Sequence, residues 1–264
     1  GSSWNANVLE QFTAAAEAGG GAVQFFGQSS LTPCGGSPSF SSWTNTLLGS
    51  FTVSAWIKTA NVVGIDNDPL NDSDGQTVIY LNNNGNGVIP LGITGSKAAI
   101  ATGLPPGAYG QDTLNSSSTV TSGSYVHVVV TRDAGSGRKQ IFINGVLDAA
   151  DYGESGILDG GADYASIGGE LSAPYTGNLD DVQIYAGVLS APEVAYLFTN
   201  PGATVADGSV NGLVAHYTFD NPAHLGMDSS SNHFDMDYIS SFGSGLSYGS
   251  VADTNTAAAG EIGR

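Results

Sequence analysis

The stretch from Tyr164 to Phe198, YASIGGELSAPYTGNLDDVQIYAGVLSAPEVAYLF, constrains the fold more than any other part of the chain. It reads as a strand, a glycine turn, a second strand and one short helix. In the second strand, the period of two places Asp180 on the apolar face and Asp181 on the opposite face. Ser190-Ala-Pro-Glu193 has the spacing of a capping box, with proline in the first turn, where its missing N–H costs nothing. This stretch predicts sheet structure that ends in a helix at residues 190–198.

Strand-like runs bounded by Gly, Asn and Ser recur through the rest of the chain. Asn144-Gly145 lies between two of them and predicts a two-residue hairpin turn, because both of its positions favour positive φ. Many short strands without a helical period predict an antiparallel sandwich. Residues 8–18 are predicted to form a second helix, ended by three glycines. The predicted strands are residues 22–26, 51–58, 77–81, 88–93, 125–132, 140–143, 179–185 and 213–219.

Charge and hydropathy exclude several classes of partner. The chain carries 24 acidic and 6 basic residues, a net charge of −18. Such a surface repels nucleic acid and anionic membranes, so we expect neither as a partner. No apolar run approaches the roughly 18 residues of a membrane-spanning helix, and no membrane insertion is expected. Cys34 is the single cysteine, which excludes an internal disulfide, and we expect a free thiol packed against a sheet.

Three segments resemble laminin-G-like domains of the concanavalin A-like lectin/glucanase superfamily. They are FTVSAWIK at residues 51–58, the hairpins at residues 125–147, and the strand and helix described above, in the family's order across residues 21–202. The resemblance implies an all-β fold, a jelly-roll sandwich of two antiparallel sheets with one short helix near residues 190–198. It also implies an extracellular protein, secreted or on the cell surface. The implied function is carbohydrate binding or adhesion, with a glycan or extracellular matrix ligand.

The two ends depart from the family's order. The family opening, GLVAYYxFD followed by DSSGNxxDG, is matched by residues 212–220 and 228–233 near the C-terminus. Three arrangements remain open: a circular permutation within one chain, a fragment of a tandem array cut out of phase, or a strand that completes the next subunit. We therefore divide the chain into an N-terminal segment (1–20), a sandwich core (21–202) and a C-terminal segment (203–264) that completes the sandwich in cis or in trans. The trans arrangement predicts a self-assembling structural subunit of an extracellular filament, whose partners are other copies of itself.

The carboxylate pair of the superfamily's glucanases is missing. Retaining hydrolysis needs two carboxylates about 5–5.5 Å apart, which the family places at Glu-x-Asp-x-Glu or Glu-x-Asp-x-x-Glu on one strand. The six glutamates of this chain are isolated. Asp180 and Asp181 cannot replace the pair, because adjacent strand residues face opposite ways. The histidines match no zinc spacing, and no nucleophile elbow or phosphate loop is present. The sequence predicts a non-catalytic protein.

Calcium is the expected cofactor. It favours six to eight oxygen ligands, and residues 66–75 hold four carboxylates and two amides. A solvated acidic turn is the alternative interpretation of this loop. Asp180 is a further candidate, with acceptance of backbone N–H groups as its alternative role. Asp228 begins the Asp-Ser-Ser-Ser-Asn sequence of the family opening. The predicted metal ligands are Asp66, Asp68, Asn71, Asp72, Asp74, Asp180 and Asp228.

Sugar recognition needs exposed aromatic rings beside hydrogen-bonding groups. Four tyrosines lie in predicted loops, while Trp56 lies on a predicted central strand and is expected in the core. Residues 103–124 are predicted to form a long surface loop that borders such a site. The predicted ligand-binding residues are Tyr109, Tyr152, Tyr164 and Tyr175.

Overall fold

The structure is a computed structural model that describes residues 22–26, 30–33, 44–66, 75–83, 86–102, 112–158, 164–169, 174–205, 212–221 and 224–239. Within these ranges it contains strands β1 to β14, a single helical turn at residues 44–46 and the helix α1. In chain order the elements are β1 (Val23–Phe26), β2 (Ser30–Pro33), β3 (Phe51–Lys58), β4 (Gln76–Asn83), β5 (Asn86–Thr94), β6 (Lys97–Ala101), β7 (Thr113–Thr119), β8 (Val126–Arg132), β9 (Arg138–Ile143), β10 (Val146–Tyr152), β11 (Tyr164–Ile167), β12 (Thr176–Ala186), α1 (Ala191–Thr199), β13 (Leu213–Tyr217) and β14 (Met236–Ile239).

Two antiparallel sheets form the sandwich, so the predicted all-β jelly-roll class is confirmed. The first sheet has the order β1-β12-β3-β8-β9-β10, with β13 also paired to β12. The second has the order β14-β2-β11-β4-β5-β6-β7. Apolar side chains from both sheets form one continuous core, in which β3 contributes the fully buried Phe51, Val53, Ala55 and Ile57. Alternation along β3 sends Trp56 to the opposite face of the first sheet, where it packs with Ala22 and Tyr125.

The β9–β10 hairpin confirms the turn predicted from Asn144-Gly145. Asn144 has φ 50° and Gly145 has φ 78°, the left-handed values that a tight hairpin turn requires. The two strands pair on either side of this turn, with Val146 opposite Ile143. Local sequence chemistry therefore determines this connection.

Residues 113–119 correct the prediction of one long surface loop over residues 103–124. They form β7, which pairs with β6. The backbone N–H groups of Ser117 and Ser118 also donate to the Asp148 carboxylate on β10, which ties the edges of the two sheets together. The serine-rich sequence TLNSSST has little intrinsic strand preference, so its partner strands rather than its composition determine its conformation.

Helix α1 begins after Ser190, as the capping-box spacing predicts. The Glu193 carboxylate accepts hydrogen bonds from the Ser190 backbone N–H at 2.6 Å and from its hydroxyl at 2.7 Å. Val194 and Leu197 face the first sheet and pack with Tyr185. In the described ranges, no helix has the length and apolar composition needed to cross a membrane. The helix predicted at residues 8–18 and Cys34 lie outside the described residues.

Within the predicted range 203–264, residues 212–239 are called the C-terminal segment from here on. This segment joins both sheets of its own chain. β13 pairs with the second half of β12, from Val182 opposite Tyr217 to Tyr185 opposite Leu213. β1 pairs with the first half of the same strand, so strands from opposite ends of the chain lie end to end along one edge. β14 pairs with β2 in the second sheet. The division of the chain at residues 20 and 202 stays a prediction.

Two buried cations hold loops against the ends of β8 and β9. The Arg132 guanidinium donates to the backbone carbonyls of Gly49 at 2.8 Å, Gly156 at 2.9 Å and Glu154 at 3.0 Å. The Lys139 ammonium contacts the Asp112 carboxylate and its backbone carbonyl. Both cations are almost fully buried, so these contacts replace the hydrogen bonds that water would otherwise supply.

Candidate functional site

A polar cleft of about 340 Å³ opens where the C-terminal segment meets the loop after helix α1. This site, called the His216 cleft below, is assembled from three pieces of chain. The loop after α1 contributes Gly202, Thr204 and Val205; β13 contributes Leu213 and His216; and the following loop contributes three serines at residues 229–231. Hydroxyl groups and one imidazole thus face a space large enough for a small ligand.

Asp181 orients the imidazole of the His216 cleft. Its carboxylate lies 2.6 Å from His216 Nε2 and also accepts hydrogen bonds from the Gln183 amide and the Gly202 backbone N–H. Burial acts to raise the pKa of Asp181, but the contacts with His216 and Gln183 outweigh it, and the pKa is lowered. Asp181 therefore stays ionised beneath the cleft and fixes one ring nitrogen of the imidazole.

A β-bulge in β12 places Asp181 at this position and corrects the predicted alternation. The register against β3 shifts between Asp180, opposite Trp56, and Gln183, opposite Ser54. Asp181 itself has φ 48°, a left-handed conformation that aspartate tolerates better than most residues. Asp180 therefore does not share the core face as predicted. It lies on the Trp56 side, the side that Asp181 also faces.

The pKa of Asp180 is shifted in the opposite direction to that of Asp181. Burial raises it well above the usual value, and the carboxylates of Asp181 and Asp220 raise it further. The carboxyl oxygen of Asp180 accepts the Asp181 backbone N–H at 2.8 Å. This bond is the alternative role expected for Asp180, and its assignment as a metal ligand stays a prediction. Two adjacent carboxyl groups thus have pKa values shifted in opposite directions at one bulge.

His127 lies in the same buried polar layer, between Ser54 and the aromatic ring of Trp56. Its Nε2 is 2.9 Å from the Ser54 hydroxyl, and its ring centroid is 4.8 Å from that of Trp56. Burial lowers the pKa of His127 to about 4, so the ring is neutral at physiological pH. His127 is therefore a packed, structural histidine, as its position inside a predicted strand suggests.

Asp228 organises the wall of the cleft. It is 1% exposed, and its two oxygens accept the backbone N–H groups of His216, Ser230 and Phe234 and the Ser230 hydroxyl, each at 2.8 Å. Four donors occupy the carboxylate, which thereby folds the loop of residues 228–234 onto β13. Sequence reasoning singled out this residue as a calcium ligand, and that assignment stays a prediction.

The other predicted metal ligands lie at or beyond the edge of the described chain. Asp66 is exposed, and its carboxylate accepts hydrogen bonds from the backbone N–H and hydroxyl of Ser96. These bonds lower its pKa. Asp68, Asn71, Asp72 and Asp74 lie outside the described residues. Among the residues that are described, no group of three or more acidic, histidine or cysteine side chains is arranged to hold a metal ion.

Three of the four predicted sugar-binding tyrosines lie within the described residues, on or beside three different strands. Tyr175 is fully buried, and its hydroxyl donates to the backbone carbonyl of Asn178, so the expectation of an exposed loop ring is wrong there. Tyr152 is 67% exposed but ends strand β10 instead of lying in a loop. Tyr164 begins strand β11, and Tyr109 lies outside the described residues.

Sequence reasoning missed the His216 cleft. Its parts are separated along the chain: Asp181 and His216 are 35 positions apart, and the wall serines follow later. The signals present were His216 on the polar face of a predicted strand and the serine run after Asp228. Neither signal says that the two segments pack beside the end of α1.

Among the described residues, an Asp–His pair beside serines does not amount to a catalytic triad. Such a triad requires a serine hydroxyl hydrogen-bonded to the free nitrogen of the imidazole. The hydroxyl of Ser230 donates instead to the Asp228 carboxylate, 2.8 Å away. The ring of His216 has its hydrogen bond to Asp181. The arrangement suits binding by hydroxyl groups better than nucleophilic attack.

Comparison with known proteins identifies the family of this chain. A laminin-G family model, described as the concanavalin A-like lectin/glucanases superfamily, matches residues 35–195, more than half of the chain. A search of curated proteins by sequence found no match.

Two solved structures share the fold. A candidate carbohydrate-binding protein from Bacteroides ovatus superposes with a TM-score of 0.53 at 18% identity, over 83% of this chain and 58% of that protein. The CBM40 of Ruminococcus gnavus IT-sialidase, solved bound to α2,3 sialyllactose, superposes with a TM-score of 0.51 at 18% identity, over 67% of this chain and 96% of that one. The present chain thus spans 58% of the length of the Bacteroides ovatus protein. Identities this low establish a shared fold alone. The family match over residues 35–195 shows that the chain belongs to the laminin-G-like group of the concanavalin A-like lectin/glucanase superfamily.

Proposed function

We propose that this protein is an extracellular, non-catalytic carbohydrate-binding or adhesion module that binds a glycan in the His216 cleft. The observation that carries the proposal is the cleft itself, whose volume of about 340 Å³ lies within the usual range for small-ligand sites. The fold adds support, since a CBM40 bound to a sialylated sugar and a candidate carbohydrate-binding protein share it.

The lining of the cleft suits a polyol. Serine and threonine hydroxyls both donate and accept hydrogen bonds, as sugar hydroxyls do, so each can adapt to its partner. Val205 and Leu213 add apolar surface beside these groups, which fits the C–H face of a pyranose ring. The imidazole of His216 is already fixed by Asp181, so binding would cost little side-chain entropy.

Glycan-array screening of the intact protein, followed by titration calorimetry on the hits, tests this function. We expect saturable binding of one glycan per chain. Ser231→Trp should block the cleft, because Ser231 is an exposed residue of its wall. The matched control is Ser155→Trp, at an exposed serine outside the cleft. Absence of binding across a broad array would refute the function. In parallel, β-glucans, galactans and ulvans incubated with the protein should show no new reducing ends or unsaturated products.

Calcium binding in the loop that starts at Asp66 is a second part of the proposal. Four carboxylates within residues 66–74 repel one another, and a divalent ion offsets that repulsion. An ion bound by the native state alone raises the free energy of unfolding. The melting temperature should therefore be higher in millimolar calcium than in chelator. An unchanged melting temperature with no metal in elemental analysis would contradict it.

A structural subunit of an extracellular filament or tandem array is the alternative function. One observation favours it: β1 and β13, from opposite ends of the chain, share one edge of β12. An edge completed by a strand from the far end of the chain is one that a neighbouring copy could also complete. Ordered polymers in electron microscopy, or mass growth in light scattering, would support this alternative over the glycan-binding monomer.

A further inference from the structure

We infer that the His216 cleft selects an uncharged sugar residue and rejects acidic sugars such as sialic acid, uronic acids and sulfated hexoses. This inference rests on the proposed function and names the class of glycan for the same site. It separates this chain from the CBM40 that shares its fold, which was solved with a sialylated, and therefore anionic, ligand.

The first observation is that the described part of the cleft holds neither lysine nor arginine. Among the described residues, its lining consists of hydroxyl, apolar and glycine residues with His216. Carboxylate ligands are normally bound by arginine or lysine, most strongly by the paired donors of a guanidinium. The chain has six such residues in all. Four of them have partners elsewhere in the sandwich: Lys58, Lys97, Arg132 and Lys139.

The second observation is the negative charge directly behind the cleft. Asp181 lies 2.6 Å from His216 Nε2, beneath the floor, and Asp228 lies 2.8 Å from the Ser230 hydroxyl, behind the wall. Both carboxylates are buried, 6% and 1% exposed, so solvent screens them little. The imidazole of His216 lies against only one of them, Asp181. An anionic ligand would therefore meet like charge at short range.

A neutral sugar avoids this repulsion and keeps the favourable contacts. Its hydroxyls can pair with those of Ser229, Ser231 and Thr204, while no charge has to lose its hydration. The overall charge of −18 acts in the same direction, because it lowers the local concentration of anionic glycans around the protein. The carboxylates of Asp181 and Asp228 and the net charge of the protein thus all favour a neutral ligand.

The test measures the intact protein against matched neutral and acidic probes: lactose against α2,3-sialyllactose, and oligogalactose against oligogalacturonate, each at low ionic strength. We expect the neutral member of the recognised pair to bind at least tenfold more tightly. Ser231→Lys, which adds one cation at the wall of the cleft, should lower the ratio of neutral to acidic affinity several-fold. Ser155→Lys, at an exposed serine outside the cleft, should leave it unchanged.

The outcomes separate this inference from the function it rests on. Equal or tighter binding of the acidic member would overturn the inference and leave the function standing. Neutral binding that Ser231→Trp does not weaken would place the sugar elsewhere; it would overturn this inference and the assignment of the cleft, and leave carbohydrate binding itself standing. No binding to any probe or array glycan would overturn both.

Discussion

Arg132 in the family-matched sandwich and Asp228 in the C-terminal segment hold loops with buried charges of opposite sign. In the sandwich, the Arg132 guanidinium donates to backbone carbonyls of the loops before β3 and after β10. In the C-terminal segment, the Asp228 carboxylate accepts backbone N–H groups from β13 and from its own loop. Both satisfy buried backbone groups where no strand is available to pair. The difference shows that a loop's free groups, carbonyls or amides, select the sign of the buried charge.

The two regions nevertheless share one core. Ala215, Tyr217 and Phe219 from the C-terminal segment, with Leu225 and Met236 beyond them, belong to the same apolar cluster as the central strands. The Asp228 carboxylate therefore holds a segment that lies outside the family-matched residues 35–195 but contributes side chains to the core of the sandwich. Four changes to the chain test how much each of the two regions contributes to stability.

Deleting residues 212–264 should have the largest effect. It removes β13 and β14, exposes the edges of β12 and β2, and takes five side chains from the core. We expect an insoluble or unfolded product by expression yield, circular dichroism and size-exclusion chromatography. A chain ending at Ile239 is the control that separates the contribution of residues 240–264.

Adding the deleted segment as a peptide sharpens this test. If the segment docks between subunits, the peptide should restore solubility and stop assembly at single units. A truncated protein that stays monomeric with an unchanged melting temperature would show that the segment opens a following domain.

Arg132→Met tests the cationic region. The substitution leaves several loop carbonyls buried without donors, and we expect the free energy of unfolding to fall by about 3–5 kcal/mol. Chemical denaturation measures the loss. The control is Arg138→Met, because Arg138 is exposed and its removal should cost less than about 0.5 kcal/mol. A loss below about 1 kcal/mol for Arg132→Met would mean that the loops are held by other contacts.

Asp228→Asn tests the anionic region. Asparagine keeps one acceptor oxygen and introduces an amide where donors already converge, so we expect a loss of about 1–3 kcal/mol. Hydrogen exchange should accelerate in β13 while β3 and β8 stay protected. Asp151→Asn is the control, since Asp151 is exposed on β10. Uniform acceleration in all strands would instead indicate that the two regions open as one unit.

Asp180→Asn should have the smallest effect, and a stabilising one. Because the folded pKa of Asp180 is raised, the native state keeps a proton that the unfolded chain releases above about pH 4. The free energy of unfolding of the wild type therefore falls as pH rises toward the folded pKa, by at most about 1.4 kcal/mol per pH unit. Asparagine cannot ionise, so the free energy of unfolding of the variant should exceed that of the wild type at pH 7.5 and differ little from it at pH 4.

Thermal melts across pH measure this difference, with Asp181→Asn as the contrasting variant. The folded pKa of Asp181 is lowered, so its contribution is present above about pH 4 and lost as pH falls further. Asp181→Asn should thus destabilise at neutral pH. The same change in melting temperature with pH for the two variants would contradict the opposite pKa shifts of Asp180 and Asp181.

Much of the sandwich was predictable because its strands carry local signals. Strand β3 has the predicted bounds, and the Asn144-Gly145 hairpin and the Ser190 cap lie where their residue types indicate. Strand β7 was not predictable, because serine and asparagine become extended only through pairing with β6 and the contact with Asp148. Tyr175 shows the same limit for side chains, since its burial depends on the sheet packed over it.

The sequence by itself determined the fold class, the hairpin and helix signals, the net charge of −18 and the absence of the glucanase carboxylate motif. Only the tertiary structure decided that β13 docks beside β12, that a bulge turns Asp181 toward His216, and that a cleft opens there. The physical reason is the sequence separation over which each feature is determined. Period, caps and turns depend on residues within a few positions, whereas the cleft depends on strand register across 35 positions, which one extra residue in a strand can reverse.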